Sequence, residues 1–206
     1  MIIGGTDAET FAIEWAMTEL IKHPRIMAKV QAEIRHVANE KVDFDEDDLM
    51  KLNYLKLVIK ETLRLHPPGT LLVPRQCKET CQLLGYSIPS GARVLINAWA
   101  LGRDPEYWSH AEEFIPERFE GSSIDLKGRN FEFIPFGAGR RSCPGMEFGM
   151  AVIEIVLARL LLHFDWKLPD GVKPTDVDMT EELGVVCHLK KPLSLVPVLR
   201  VPLPSL

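Results

Sequence analysis

A chain of 206 residues, 46% hydrophobic and 26% charged, has the composition of an ordinary globular core, which excludes disorder as its ground state. Its formal charge of -5 excludes the clustered cationic surplus that phosphate recognition demands, so no nucleic-acid partner is expected. Four cysteines (Cys77, Cys81, Cys143 and Cys187) are too few for a disulfide framework, and with no secretory signal in these residues a reducing compartment is expected.

Ile2-Ile3-Gly4-Gly5-Thr6-Asp7 leads without a cap into a stretch that reads as helical to about Lys22, so the chain is expected to begin inside a helix. Pro24 suits a first helical position, and Ile26, Val30, Ile34 and Val37 recur at three- and four-residue spacing, predicting a second helix. A short acidic helix is expected over residues 45–51. Over residues 54–65 Leu55, Val58, Ile59 and Thr62 share one helical face, and Pro67-Pro68 stops the run.

Strand signals take over between residues 81 and 101. The run Leu83-Leu84-Gly85-Tyr86-Ser87-Ile88, a turn at Pro89-Ser90-Gly91, and then Val94, Ile96 and Trp99 read together as a hairpin. Residues 104–141 are rich in Gly, Pro and charge, a length of irregular chain that a compact domain carries only for function. A helix is predicted over 146–163; its apolar run is broken by Glu154 and Arg159 and is too short to span a bilayer. After Pro169, apolar runs around Val185 and Leu195 read as terminal strands. No repeat or linker divides the chain, so residues 1–206 are expected to form a single domain.

Phe136-Gly137-Ala138-Gly139-Arg140-Arg141-Ser142-Cys143-Pro144-Gly145 carries the strongest chemical signal. A cysteine just ahead of a helix N-terminus faces free backbone N–H groups and the positive end of the helix dipole, which favour charge on its sulfur and metal ligation. An isolated cysteine beside a glycine turn is more often an inert buried thiol, so the weight rests on the whole decapeptide. It matches Phe-x-x-Gly-x-Arg-x-Cys-x-Gly at every defined position, and through it the chain resembles the cytochromes P-450. The resemblance implies that Cys143 ligates haem iron, that Gly139 and Gly145 let the backbone turn close to the macrocycle, that Phe136 walls the sulfur from water, and that Arg141 pairs with a haem propionate.

Glu61 and Arg64 lie three residues apart on one helical face, a pair that alone means little. With Pro116-Glu117-Arg118-Phe119 it resembles the family's Glu-x-x-Arg and later arginine, which implies a partly buried structural triad of Glu61, Arg64 and Arg118 behind the haem. Gly4-Gly5-Thr6-Asp7-Ala8-Glu9 resembles the family's distal-helix motif, with Asp7 as the acidic member of a proton relay. Ala8 stands where the family places a threonine, and Thr6 and Thr10, two residues away, point off that face. By the same comparison Arg75, in Leu72-Val73-Pro74-Arg75, is a second propionate contact, and Thr70, Leu71, Val73, Leu183, Val185 and Val186 line the substrate pocket. His66 is taken as a packing or hydrogen-bonding residue, and Cys77 and Cys81, without partner ligands at suitable spacing, as reduced thiols.

The similarity runs from Gly4 almost to the end. Lys60-Glu61-Thr62-Leu63-Arg64-Leu65-His66-Pro67 and Trp99-Ala100-Leu101-Gly102-Arg103-Asp104-Pro105 look like plant microsomal members of specialised metabolism. The implied fold is mainly α with small β-sheets, the C-terminal portion of the family fold with its N-terminal half absent. The implied function is a haem-thiolate monooxygenase holding haem b (iron protoporphyrin IX). It inserts one oxygen atom from dioxygen into a small lipophilic substrate of terpenoid or phenolic type. Electrons come from NADPH through NADPH-cytochrome P-450 reductase. A full-length relative sits on the cytoplasmic face of the endoplasmic reticulum membrane through an N-terminal anchor that this chain lacks. Two other readings stand beside it: a truncated, non-catalytic fragment, and a haem-thiolate isomerase or dehydratase, motivated by Ala8.

Overall fold

The computed structural model describes residues 2–39, 41–184 and 186–203, with the backbone alone for residues 2–4. In chain order the first helices are α1 (Ile2–Lys22), α2 (Pro24–Ala38), α3 (Glu46–Lys51) and α4 (Asn53–Leu65). Each boundary has a local cause. Pro24 opens α2 and Asn39, in the left-handed region at φ 43°, closes it. Asp45 and Asp48 form a capping box at the start of α3. α4 ends at His66, whose backbone is pushed out of the helical region by the proline that follows.

The chain then turns to short strands. β1 (Arg75–Gln76) pairs with β4 (Arg93–Val94), and β2 (Cys81–Leu83) pairs with β3 (Tyr86–Ile88), both antiparallel. After the one-turn helix α5 (Ala98–Leu101) comes the irregular passage, broken only by 3-10 turns at Pro116–Phe119 and Gly139–Arg141, and then α6 (Met146–His163). β5 (Phe164–Lys167) pairs with β8 (Val196–Leu199), and β6 (Glu181–Leu183) with β7 (Cys187–Leu189). The result is mainly α with small antiparallel sheets.

α1, α2, α4 and α6 pack on one another. Ala16 and Leu20, Val30 and Ile34, Leu55 and Val58, and Leu157 and Leu161 fill the space between them, all buried. Each fully buried Leu or Ile contributes roughly 1.5–3 kcal/mol by leaving water. His66 closes this core polarly: its ring stacks on Trp15 at 3.9 Å between centroids, Nε2 lies 2.8 Å from Glu19 Oε1 and Nδ1 lies 3.2 Å from Glu181 Oε1. The histidine thus ties α4 to α1 and β6.

The expected single hairpin over residues 81–101 is corrected. The run Leu83 to Ile88 folds back on itself at Leu84-Gly85, where both residues have positive φ (49° and 83°), the geometry that matches the twist of a two-residue hairpin. The turn at Pro89-Ser90-Gly91 exists, but it carries the chain from β3 to β4, whose partner is the distant β1. Trp99 is helical, because the Asn97 side chain accepts from Ala100 N and starts α5. β5 went unanticipated because Phe164-Asp165-Trp166-Lys167 follows α6 with no breaker between them.

Candidate functional site

The signature decapeptide forms a closed loop that delivers Cys143 to the start of α6. Phe133 and Ile134 are buried, and the loop leaves them by a turn in which Gly137 N donates to Ile134 O at 2.8 Å. Gly137 and Gly139 sit at φ 72° and 67°, where a side chain is strained. Cys143 N donates to Phe136 O at 2.9 Å and Ser142 N to Gly139 O at 3.0 Å, which pins the cysteine backbone. The Cys143 thiol is solvent-exposed, three residues before α6, and no side chain caps that helix. Its first-turn amides are therefore free to face an anion.

One glycine expectation changes. Gly145 has an ordinary backbone (φ -97°), and a Cβ there would meet Cys143 Sγ only at 4.0 Å, so no turn requires it. Gly137 does require its freedom. Gly128 was missed altogether: at φ 71°, its absent Cβ would lie 2.8 Å from Gly137 O and 2.9 Å from Ala138 Cα. One loop backbone thus rests directly on the other, a close approach that leaves no periodic trace in sequence.

Glu61, Arg64 and Arg118 are brought together. Arg64 Nε donates to Glu61 Oε2 at 2.8 Å and Nη2 to Oε1 at 2.9 Å, while Arg118 Nε donates to Oε1 at 2.9 Å. Ile115 N gives Oε1 a further bond at 2.8 Å. Arg64 also donates to the carbonyls of Gly102, Ala111 and Glu113, and Arg118 to those of Ser109, His110 and Glu113. Both guanidinium groups lie by the face of Trp108, whose neighbours Phe119 and Phe133 continue the contact to the root of the decapeptide. The irregular passage is therefore held by buried charge at one end and by an aromatic cluster beside the loop. Gly102 belongs to this arrangement as well, since a Cβ on it would collide with the Arg64 carbonyl.

The side chains of Arg75 and Arg141 make no hydrogen bond or ion pair among the described residues, and the Nε of Arg75 is buried without an acceptor. The segment before Arg75 lies against the decapeptide: a Cβ added at Gly137 would stand 3.9 Å from Leu72 Cδ1. Val73 and Leu183 are largely exposed and Leu71 less so; Val186 is buried, and Val185 lies outside the described residues. Cys187 N donates to Pro68 O at 3.0 Å, and His188 stacks on Phe11 at 4.9 Å, so the β6–β7 turn meets both the segment at Thr70 and α1. In the opening turns of α1 Asp7 is exposed, with the Thr6 hydroxyl 3.5 Å from its Oδ1, and Thr10 spends its hydroxyl on Thr6 O at 2.8 Å.

Residues 1–196 match the family model described as cytochrome P-450. The chain belongs to this family. It is 54% identical over 197 residues to desmethyl-deoxy-podophyllotoxin synthase of Sinopodophyllum hexandrum, covering 96% of this chain and 39% of that protein. Against 5-epiaristolochene 1,3-dihydroxylase of Nicotiana tabacum it is 55% identical over 190 residues, 92% of this chain and 38% of that protein. A zebrafish cytochrome P-450 structure with progesterone superposes with a TM-score of 0.84 at 29% identity, covering 97% of this chain and 44% of that chain. The chain spans about two fifths of the length of these curated relatives. Membership in the cytochrome P-450 family implies haem as the cofactor.

Proposed function

We propose that the protein containing this chain is a haem-thiolate monooxygenase in which Cys143 is the sulfur ligand to the haem iron. The observation that carries the reading is the exposed Cys143 thiol, pinned by its backbone bond to Phe136 O ahead of a helix whose N-terminus no side chain caps. The surrounding residues fit haem b. Iron takes a soft sulfur donor, and the two propionates need cations. Arg75 and Arg141 carry guanidinium groups without partners among the described residues, and a buried unsatisfied donor such as Arg75 Nε costs about 1–3 kcal/mol that a carboxylate would relieve. Gly139 and Gly145 present no side chain to a flat ligand, and half-buried Phe136 shields one side of the loop.

When bound, haem supplies the one-electron and oxygen-transfer chemistry that no side chain offers. The protein's own residues divide the remaining work. Cys143 holds the metal while the first-turn amides of α6 favour charge on its sulfur. Glu61, Arg64 and Arg118 keep the passage behind the loop in place. Asp7, exposed on α1, is the proton-relay residue, working without a neighbouring threonine at position 8. Thr70, Leu71, Val73, Leu183, Val185 and Val186 border the pocket of a small lipophilic substrate of terpenoid or phenolic type. Electrons arrive from NADPH-cytochrome P-450 reductase at the endoplasmic reticulum membrane; no helix among the described residues is long and apolar enough to cross a membrane.

The deciding experiment is the reduced carbon monoxide difference spectrum of the haem-loaded protein. The wild type should give a thiolate-type Soret band that Cys143→Ala abolishes. Persistence of that band in the variant sinks the ligand assignment.

A further inference from the structure

Cys77 and Cys81 stand outside everything assigned above. Cys77 follows β1, and its backbone is clamped by Cys77 N to Ala92 O at 2.9 Å and Gly91 N to Cys77 O at 2.8 Å. Cys81 opens β2 opposite Ile88. The three residues between them are braced from the β3–β4 turn, with Ser90 Oγ donating to Lys78 O at 2.8 Å and Ser90 N to Thr80 Oγ1 at 3.2 Å. This framing holds the two sulfurs 3.8 Å apart, with Cys81 exposed and Cys77 half-buried. Such a pair needs only about 2 Å of approach to reach bonding distance, within the range of χ rotations. The thiol of Cys81 is pushed above its ordinary range, chiefly by its hydrogen bond to the Cys77 sulfur, so the two already interact.

We infer that Cys77 and Cys81 form a redox modification site, a vicinal dithiol that closes to an intramolecular disulfide with a small disulfide oxidant of the glutathione type. One cysteine sulfur attacks the oxidant, forming a mixed disulfide and releasing one small thiol; the second cysteine sulfur displaces the other small thiol. The net change is two protein thiols oxidised to one disulfide and one small disulfide reduced to two thiols. Closure ties the β1–β4 ladder to the β2–β3 ladder. Both border a cavity that also takes in Arg75, Ile88 and Val94. The bridge would therefore stiffen the segment that carries Arg75. The thiol chemistry itself does not depend on the haem reading.

The sequence offers a direct test, because trypsin cuts at Arg75, Lys78 and Arg93 and so separates the two cysteines into different peptides. The haem-loaded protein is equilibrated in buffers of graded reduced and oxidised glutathione, quenched with N-ethylmaleimide, and digested without reduction. We expect the two peptides to appear joined, in monomeric protein, across a single two-electron transition, and Cys81→Ser to carry one glutathione on Cys77 instead. Separately alkylated peptides at every ratio, glutathione adducts that persist in the wild type, or linkage confined to dimers would each overturn the inference. A changed carbon monoxide spectrum without linked peptides would count against it equally, and linked peptides in protein that lacks the thiolate band would leave it standing while the haem reading fails.

Discussion

Replacing Glu61 with glutamine keeps the side-chain volume and removes one charge from a cluster that water does not reach. The Glu61 and Arg64 side chains are 0% exposed and that of Arg118 is 8% exposed. Glutamine can still accept at one oxygen from Ile115 N, but its amide N–H then faces Arg64 Nε, donor against donor. No other carboxylate touches either guanidinium group among the described residues; their remaining partners are backbone carbonyls. Removing one partner of such a cluster costs about 3–5 kcal/mol, whereas an exposed pair costs about 1 kcal/mol or less. At one power of ten per 1.4 kcal/mol, the folding constant should drop by roughly two to four powers of ten, a large part of a stability of about 5–15 kcal/mol. Urea unfolding of the haem-loaded protein followed by circular dichroism reads this, and amide exchange at residues 109–115 should accelerate first. A loss below about 1 kcal/mol would falsify the claim that these charges are buried and mutually dependent.

Gly102→Ala forces a Cβ into the Arg64 carbonyl, a backbone atom with nowhere to yield, so it should destabilise by at least about 2 kcal/mol in the same unfolding assay; a neutral result would mean that α4 and α5 are not packed as described. Acid should unfold the protein partly through Glu19. Burial alone would raise its pKa, but hydrogen bonds from His23 and His66 outweigh burial and hold it at about 2 against an ordinary 4.5. A depressed carboxylate stabilises above its unfolded pKa and loses that contribution as pH falls, here between about pH 4.5 and 2, on the order of 3 kcal/mol in all. Glu19→Gln should flatten that limb of the stability curve, and an unchanged slope would refute the assignment. His23 has the opposite sign: the Glu19 hydrogen bond raises its pKa, so its contribution is full at low pH and fades as pH rises through the folded value.

The helices were legible because their causes are local. Pro24, the acids around Asp45, the Leu55–Val58–Ile59 spacing and Pro67 act within one or two turns, and the boundaries fall within a residue or two of the expected ones. Short strands were less legible, since β1 pairs with β4 across some twenty residues, and the hairpin turn at Leu84-Gly85 carries a leucine where polar turn residues are usual. Cys143, Arg75, Arg141 and the Glu61–Arg64–Arg118 cluster could be named from motifs. Gly128, Gly102 and the polar clamp on His66 could not.

By itself, then, the order of residues determined the helical spans, the chemical identity of the decapeptide and the family to which the chain belongs, because each depends on spacing along a few turns. Only the tertiary structure decided that Glu61 meets Arg118 across 57 positions, that Gly128 must lack a side chain because Gly137 lies against it, and that the thiols of Cys77 and Cys81 stand 3.8 Å apart. In the first two the physical reason is that the energy sits in contacts the fold brings together, and in the third that bonds from the β3–β4 turn set how closely two nearby side chains approach; no local propensity encodes either.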